Sequence, residues 1–320
     1  MHILRPTMPK KLDYNATITE RIDLTDALAV FKVRPDEPIA DDPAFVPGQY
    51  MTLGLNNEQK PELGSVRRPM SIVSAPEEDG NLEFYIRWVA HPESDNPLTH
   101  LLWNTRSGDR MFLRAKGVGR FTLDHTIEDG DERLKIMVAA GTGLAPFVSM
   151  ARSRVLSDPS ASLSDFVVLH GASYPADLGY RDELVSLAET HGLHYLSTIS
   201  RPKEAPDWSG DTGRVEDYFR EDRLADLESR IGLAEGGLRP ENAVVYICGL
   251  QGTIGQTIMR LNHRGFVPEN RKLRRVLEIS EHTVPTLFFE QYDNTPVIPV
   301  DDEDVMAKMK AQLRAALGDV

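Results

Sequence analysis

The feature that most constrains the fold is a change of apolar patterning partway along the chain. Residues 13–123 carry short segments separated by turn signals: NATITERIDL, LAVFKVRP, QYMTLGLN, PMSIVSAP, LEFYIRWVA and RMFLRA, with Pro-Gly, Asp-Gly and Ser-Gly-Asp punctuation between them. That spacing predicts a closed antiparallel β-barrel, interrupted by one helical patch, LTHLLWN at 98–104. From residue 134 the texture differs. LKIMVAA, DFVVLHGA, LHYLSTIS and AVVYICG are unbroken apolar runs, as expected of parallel strands buried on both faces. Helical stretches such as PFVSMARSRVL and RDELVSLAETHG alternate with them, which predicts an α/β doubly wound sheet.

The expected organisation is therefore a barrel over 10–128, an α/β domain over 133–292, and a C-terminal extension over 293–320. The polar stretch DHTIEDGDER at 124–133 forms the join. In the extension, Asp301 and Asp302 suit a helix N-terminus. Met306, Met309, Leu313 and Ala316 then recur at helical spacing, a stripe expected to pack on the body or on a second subunit.

Composition enters mainly to exclude. The formal net charge of −13 argues against nonspecific nucleic-acid binding. No uninterrupted apolar run approaches the roughly 18–20 residues of a membrane span. The start, MHILRPTMPKK, has no apolar core of the signal-peptide kind, so a cytoplasmic protein is expected. A single cysteine, Cys248, excludes an internal disulfide, a CxxC zinc site and a cysteine-held iron–sulfur cluster; no metal site is expected. Against the acidic background, RLNHRGFVPENRKLRR at 260–275 concentrates Arg260, Arg264, Arg271, Lys272, Arg274 and Arg275 around one acid, Glu269. This is either a solvated helix face or a docking surface for an acidic partner.

Three motifs carry chemistry. AAGTGLAP at 139–146 lies between a buried-strand pattern and a helical one. Gly141 and Gly143 permit a tight turn, Pro146 fits a first helical turn, and the helix start offers free N–H groups to a pyrophosphate. YICGLQG at 246–252 is a second strand ending in a glycine turn, where ligands of such sheets lie. Cys248 there either faces the crevice or is a small buried hydrophobe. TISR at 198–201 and GDTGRV at 210–215 offer Ser200, Arg201 and Arg214, either a surface pair of arginines or a phosphate clamp.

The order PGQY (47–50), RPMS (68–71), LT (98–99), GTGLAP (141–146), SR (200–201), GR (213–214), CGLQG (248–252) and EQY (290–292) resembles the ferredoxin–NADP⁺ reductase family over about 13–292. The resemblance implies an FAD-binding barrel, an NADP(H)-binding α/β domain, and electron transfer between NADP(H) and ferredoxin or flavodoxin. It makes Arg68, beside Pro69 and Met70, the holder of the FAD pyrophosphate, and Ser71 the hydroxyl beside flavin N5. Tyr85, Ile86, Arg87, Trp88 and Val89 would run along the flavin, and Leu98 and Thr99 would start the helix that caps the diphosphate. Gly141, Thr142, Gly143, Leu144, Ala145 and Pro146 would bind the NADP(H) pyrophosphate, and Ser200, Arg201 and Arg214 its 2′-phosphate. Cys248, Gly249 and Leu250 would lie near the nicotinamide. Glu290 would relay a proton, and Tyr292 would cover the flavin.

Two positions depart from the family. Met70 stands where a tyrosine is usual, and Ser173 where bacterial members often have an arginine. In the family a basic stretch precedes the last strand, so Arg264, Arg271, Lys272, Arg274 and Arg275 are the expected docking residues. Two alternatives share the resemblance: a reductase component of an oxygenase or other multi-protein system, and a flavin-carrying subunit without turnover of its own.

Overall fold

The computed structural model describes residues 11–41, 43–291 and 295–318. It divides into two compact units, 1–122 and 123–320. The division falls ahead of the polar join expected at 124–133. Thr126 Oγ1 lies 2.6 Å from the Tyr246 hydroxyl, and Arg133 donates to the Pro240 carbonyl oxygen at 3.1 Å, so the join belongs to the second unit.

The first unit is a six-stranded antiparallel sheet of β1 (Ala16–Thr25), β2 (Leu28–Pro35), β3 (Tyr50–Asn56), β4 (Ser65–Ser71), β5 (Leu82–Arg87) and β6 (Arg110–Val118). The strand order is β4-β3-β6-β1-β2-β5. The two end strands meet through an Ile72–Phe84 bridge and a Val73 N–H donating to Glu83 O at 2.8 Å, which closes the sheet on itself. Alternation fills its interior: Ile18, Phe31, Val33, Met51, Leu53, Ile72, Phe84 and Leu113 are fully buried. Helix α1 (Leu98–Trp103) sits among this core through buried Leu98 and Leu102.

The second unit opens with the single turn α2 (Leu123–Thr126). It continues through β7 (Leu134–Ala140), α3 (Ala145–Ser157), β8 (Phe166–Ala172), α4 (Arg181–His191), β9 (His194–Ile199), β10 (Asp211–Thr212), α5 (Glu221–Arg230), β11 (Ala243–Cys248), α6 (Gln251–Leu261), α7 (Arg271–Val276), β12 (Leu287–Glu290) and α8 (Glu303–Leu317). Its sheet runs β10-β9-β8-β7-β11-β12, every pair parallel. Every residue of β11 is buried, as is nearly all of β7 and β8, which is why their sequences show no alternation. The chain leaves β7 towards β8 on one side and reaches β11 on the other. The topological switch therefore lies between β7 and β11, and the loops after those strands flank it.

The extension packs on the body of this unit. Asp302 accepts from Val305 N and starts α8; Met306, Met309 and Leu313 are buried, Met306 and Met309 within the main core. Each such burial contributes about 1.5–3 kcal/mol relative to exposure. Asn262, 2% exposed, donates to Met309 O at 2.7 Å. Glu278, at φ +59°, accepts from Lys310 and Arg314; the hydrogen bond and charge of Lys310, and then of Arg314, hold its carboxyl below its ordinary value. The connector before α8 lies against α6: a Cβ on Gly255 would stand 2.0 Å from Val297 O. Among the described residues no helix is long and apolar enough to cross a membrane, and no cluster of His, Cys, Asp and Glu is arranged to hold a metal ion.

Candidate functional site

The candidate residues fall into two groups, one on each unit. On the barrel, β4 begins at Ser65, before the apolar part of its sequence, and carries Arg67, Arg68 and Pro69 exposed on the closing edge. Register with β3 pairs Arg68 with Leu53 and Ser71 with Tyr50. The Arg67 guanidinium lies over Phe112, 6.0 Å from the ring centre. Arg68 donates to Arg67 O at 2.8 Å and otherwise faces outward. Met70 packs on the barrel core, and Ser71 is 9% exposed at the strand end. Tyr85 and Ile86 are buried in β5, the other end strand; Arg87 and Val89 are exposed. Trp88 stacks on His100 at 4.8 Å, and His100 is fixed through its ring nitrogen to Val89 O at 2.8 Å. Thr99, next to buried Leu98, has a buried Oγ1 with no hydrogen-bond partner.

On the α/β unit, β7 ends in a turn over Gly141–Leu144 that runs directly into α3, with Pro146 in its first turn. Gly141 has φ +57°, and its missing side chain would point into open space. A ligand can therefore approach its backbone closely. Gly143 is required for another reason: a Cβ there would stand 2.0 Å from Cys248 O, so the GTG turn seats directly on the end of β11. Gly249, at φ +155°, packs in the same way on Ala140. The two glycine motifs thus form one close-packed loop pair at the sheet's switch point, with Thr142 half-buried, Leu144 and Ala145 buried, and Leu250 74% exposed beside them.

Cys248 is fully buried. It pairs in register with Glu290 of β12, and its Sγ lies 3.9 Å from the Glu290 carboxylate. The small buried hydrophobe describes its packing. The crevice reading keeps only its place at the strand end. Tyr292 lies outside the described residues.

Ser200, Arg201 and Arg214 are all exposed and come to the same C-terminal sheet edge. Parallel pairing of β9 with β10, and Gly213 N–H donating to Ile199 O at 2.9 Å, bring the two loops together. Arg214 is 74% exposed and reaches 4.0 Å from Glu216, a carboxylate that also accepts from Thr253 Oγ1. Arg201 accompanies two residues that the motifs did not single out. It donates to the Tyr174 hydroxyl at 2.8 Å and lies 4.0 Å from Glu204. Tyr174 also donates to Glu204, at 2.7 Å. The only sequence signal for these two is their place just beyond strand ends.

In the basic segment, two of the expected docking residues, Arg264 and Arg274, are engaged within the unit itself. Arg274 is 8% exposed and donates to the carbonyl oxygens of Ser280 and Thr283 at 2.5 and 2.7 Å. Arg264 pairs at 3.5 Å with Glu228, a carboxylate 1% exposed. Arg260 binds Asp217 at 2.9 Å. These guanidiniums are engaged by acceptors of the unit itself, of which Glu228 is buried, and are not available for docking. Of the segment's cations only Arg271, Lys272 and Arg275 stand exposed, on α7, with the exposed acid Glu269 just before them.

Comparison with known proteins agrees with this layout. Residues 137–257 match the family model described as "Oxidoreductase NAD-binding domain". Ferredoxin–NADP reductase B of Sorangium cellulosum is 33% identical over 237 residues, 73% of this chain and 85% of that relative. The xylene/toluene monooxygenase electron transfer component XylA of Pseudomonas putida is 28% identical over 212 residues; the chain spans 54% of its length. In fold, the structure of a ferredoxin NADP⁺ reductase from Neisseria gonorrhoeae with bound FAD and NADP superposes with a TM-score of 0.65 at 21% identity, covering 86% of this chain and 97% of that one. The barrel edge, the paired glycine turns and the identity to the Sorangium reductase across most of both chains lead to one conclusion: the chain belongs to the ferredoxin–NADP⁺ reductase family.

Proposed function

We propose that the chain is an FAD-dependent oxidoreductase passing electrons between NADP(H) and a small one-electron carrier of the ferredoxin or flavodoxin kind. The observation that carries this reading is the close-packed pair of glycine turns at the switch point together with two exposed arginines at the neighbouring sheet edge. That is an anion-binding turn and helix start for a pyrophosphate, with separate cations for a further phosphate.

The residues present fit both cofactors. On the barrel, the unpartnered Thr99 hydroxyl and the outward Arg68 guanidinium are donors suited to a diphosphate. On the α/β unit, open space beside Gly141 admits a pyrophosphate to the backbone. The flavin, when bound, would supply the redox chemistry, hydride acceptance at N5 and release of single electrons. The chain's own groups bind and orient. Arg68 and Thr99 hold diphosphate. Ser71 presents a hydroxyl that donates or accepts as the flavin changes state. The Gly141–Pro146 turn holds the second pyrophosphate, and Arg201 and Arg214 select the 2′-phosphate. The Glu290 carboxylate, beside Cys248, is the group able to move a proton.

A second reading, a reductase component of an oxygenase, draws support from the similarity to the XylA component. It differs from the first in the partner alone. With one cysteine, these 320 residues hold no cysteine-ligated cluster.

The test is anaerobic rapid mixing with NADPH or NADH while flavin absorbance is followed. Fast bleaching by NADPH and slow bleaching by NADH is the expected result. A yellow protein bleached by neither nucleotide overturns the reductase reading and favours a flavin-carrying subunit. In the same experiment Ser71→Ala should keep the flavin and slow bleaching by about 10²-fold, the lower range for a positioned proton-handling group. Unchanged bleaching makes Ser71 structural.

A further inference from the structure

The loop after β8 meets the loop after β9 through backbone hydrogen bonds: Ser200 N–H donates to Ala172 O at 2.9 Å and Arg201 N–H to Ser173 O at 3.1 Å. This contact sets Tyr174 beside Arg201. The guanidinium carbon lies 5.4 Å from the centre of the Tyr174 ring, and one of its nitrogens donates to the Tyr174 hydroxyl at 2.8 Å. The hydroxyl donates a hydrogen bond to Glu204 at 2.7 Å, so its lone pair is turned toward the arginine. Arginine is a rigid fork of donors on a flexible stem. Ring and hydroxyl together occupy one face and one nitrogen, which fixes the stem and leaves the remaining donors for a ligand. Glu204 acts in two ways. Through the hydroxyl it helps to order the group. Its charge, 4.0 Å from the guanidinium at more than half exposure on both sides, competes with any anion that Arg201 binds.

We infer that Tyr174 is a positioning residue for Arg201, that the charge of Glu204 opposes phosphate there, and that together they set how strongly the chain prefers a 2′-phosphorylated dinucleotide. The inference rests on the reading of Arg201 as a 2′-phosphate ligand. It assigns a tyrosine and a carboxylate to a task that sequence reading gave to Ser200, Arg201 and Arg214 alone.

The experiment is calorimetric titration of the FAD-loaded protein with 2′,5′-ADP and with 5′-ADP, which reads binding without turnover. In the wild type 2′,5′-ADP should bind more tightly. Tyr174→Phe should lower that affinity about 3-fold and Tyr174→Leu about 10-fold, with 5′-ADP changed less than about 2-fold in either, as expected for one exposed charge-assisted hydrogen bond plus a ring contact. Glu204→Gln keeps an acceptor for the tyrosine and removes the charge, and should raise 2′,5′-ADP affinity by about 2–3-fold, an effect that shrinks with salt. An unchanged ratio of the two ligands in both Tyr174 variants overturns the positioning role. Weaker 2′,5′-ADP binding in Glu204→Gln overturns the charge role. A wild type that binds both ligands equally overturns the 2′-phosphate reading itself, and wild-type data alone decide that.

Discussion

Two regions of the α/β unit are rich in arginine, and burial separates them. At 200–214, Arg201 and Arg214 are exposed, the first beside Tyr174 and Glu204 and the second 4.0 Å from Glu216. At 260–275, Arg274 and Arg264 are enclosed by carbonyl oxygens and a buried carboxylate. The side chain is the same, but its acceptors differ. A guanidinium does not shed its proton, so on burial it must be surrounded by acceptors, and those acceptors consume its capacity to bind anything else. An excess of charge in a stretch of sequence therefore does not measure charge at the surface. In the second region only Arg271, Lys272 and Arg275 count towards docking.

The largest expected effect tests the buried side of this contrast. Arg274→Ala removes a buried side chain and both of its hydrogen bonds to the loop leading to β12, and should cost about 2–4 kcal/mol, read as a lower unfolding midpoint of the α/β unit. Arg201→Ala should leave that midpoint within about 0.5 kcal/mol, as a surface substitution does, while raising the KM for NADPH far more than that for NADH. Equal midpoints for the two variants would break the comparison.

His170 sharpens it, because histidine can shed its proton where arginine cannot. It is fully buried in β8, its Nδ1 is 3.1 Å from the Tyr195 hydroxyl, and burial pushes its pKa down from 6.5 to about 3. The folded state holds it neutral and the unfolded state protonates it below 6.5. Its contribution is therefore fully present above pH 6.5 and is lost as the pH falls towards 3. By linkage that loss reaches about 2 kcal/mol at pH 5. His170→Phe should flatten the fall of the unfolding midpoint between pH 7.5 and pH 5 relative to wild type. An unchanged slope would mean that water or a rearrangement reaches the imidazole.

These contrasts also explain how much was legible in the sequence. β7, β8 and β11 were readable nearly whole because burial on both faces leaves continuous apolar runs. The start of β4 was not, because Ser65, Arg67 and Arg68 sit on an edge that carries no apolar signal. The strand–turn–helix at Gly141–Pro146 was legible because glycine and proline mark backbone geometry locally. Arg274 was misread because Ser280 and Thr283, which enclose it, are recruited by a loop and not by spacing. Tyr174 and Glu204 escaped notice for the same reason: two loops must meet before either touches Arg201. The stripe of α8 was visible, but its seat beside Asn262, just after α6, was not.

The smallest expected effect concerns the charges that remain outside. Helix α7 is capped by Asn270, whose side chain accepts from Leu273 N at 3.1 Å, and is anchored inward by Leu273 and Arg274. That anchoring turns Arg271, Lys272 and Arg275 outward as a group. An exposed patch of one sign acts chiefly on the rate of encounter with a partner of opposite sign, and salt screens it. Replacing all three by glutamate should slow reduction of an acidic carrier protein relative to a small uncharged dye by about 10-fold at low ionic strength, and the difference should fade towards 0.5 M salt, on the order of what steering by a few charges supplies. The arginines engaged within the unit predict a different pattern: Arg264→Gln, which leaves buried Glu228 without its ion pair, should slow both acceptors together, through the fold, with no dependence on salt. If the triple variant keeps the wild-type ratio at every ionic strength, the carrier docks elsewhere, and the arginines of 260–275 serve this chain's own architecture alone.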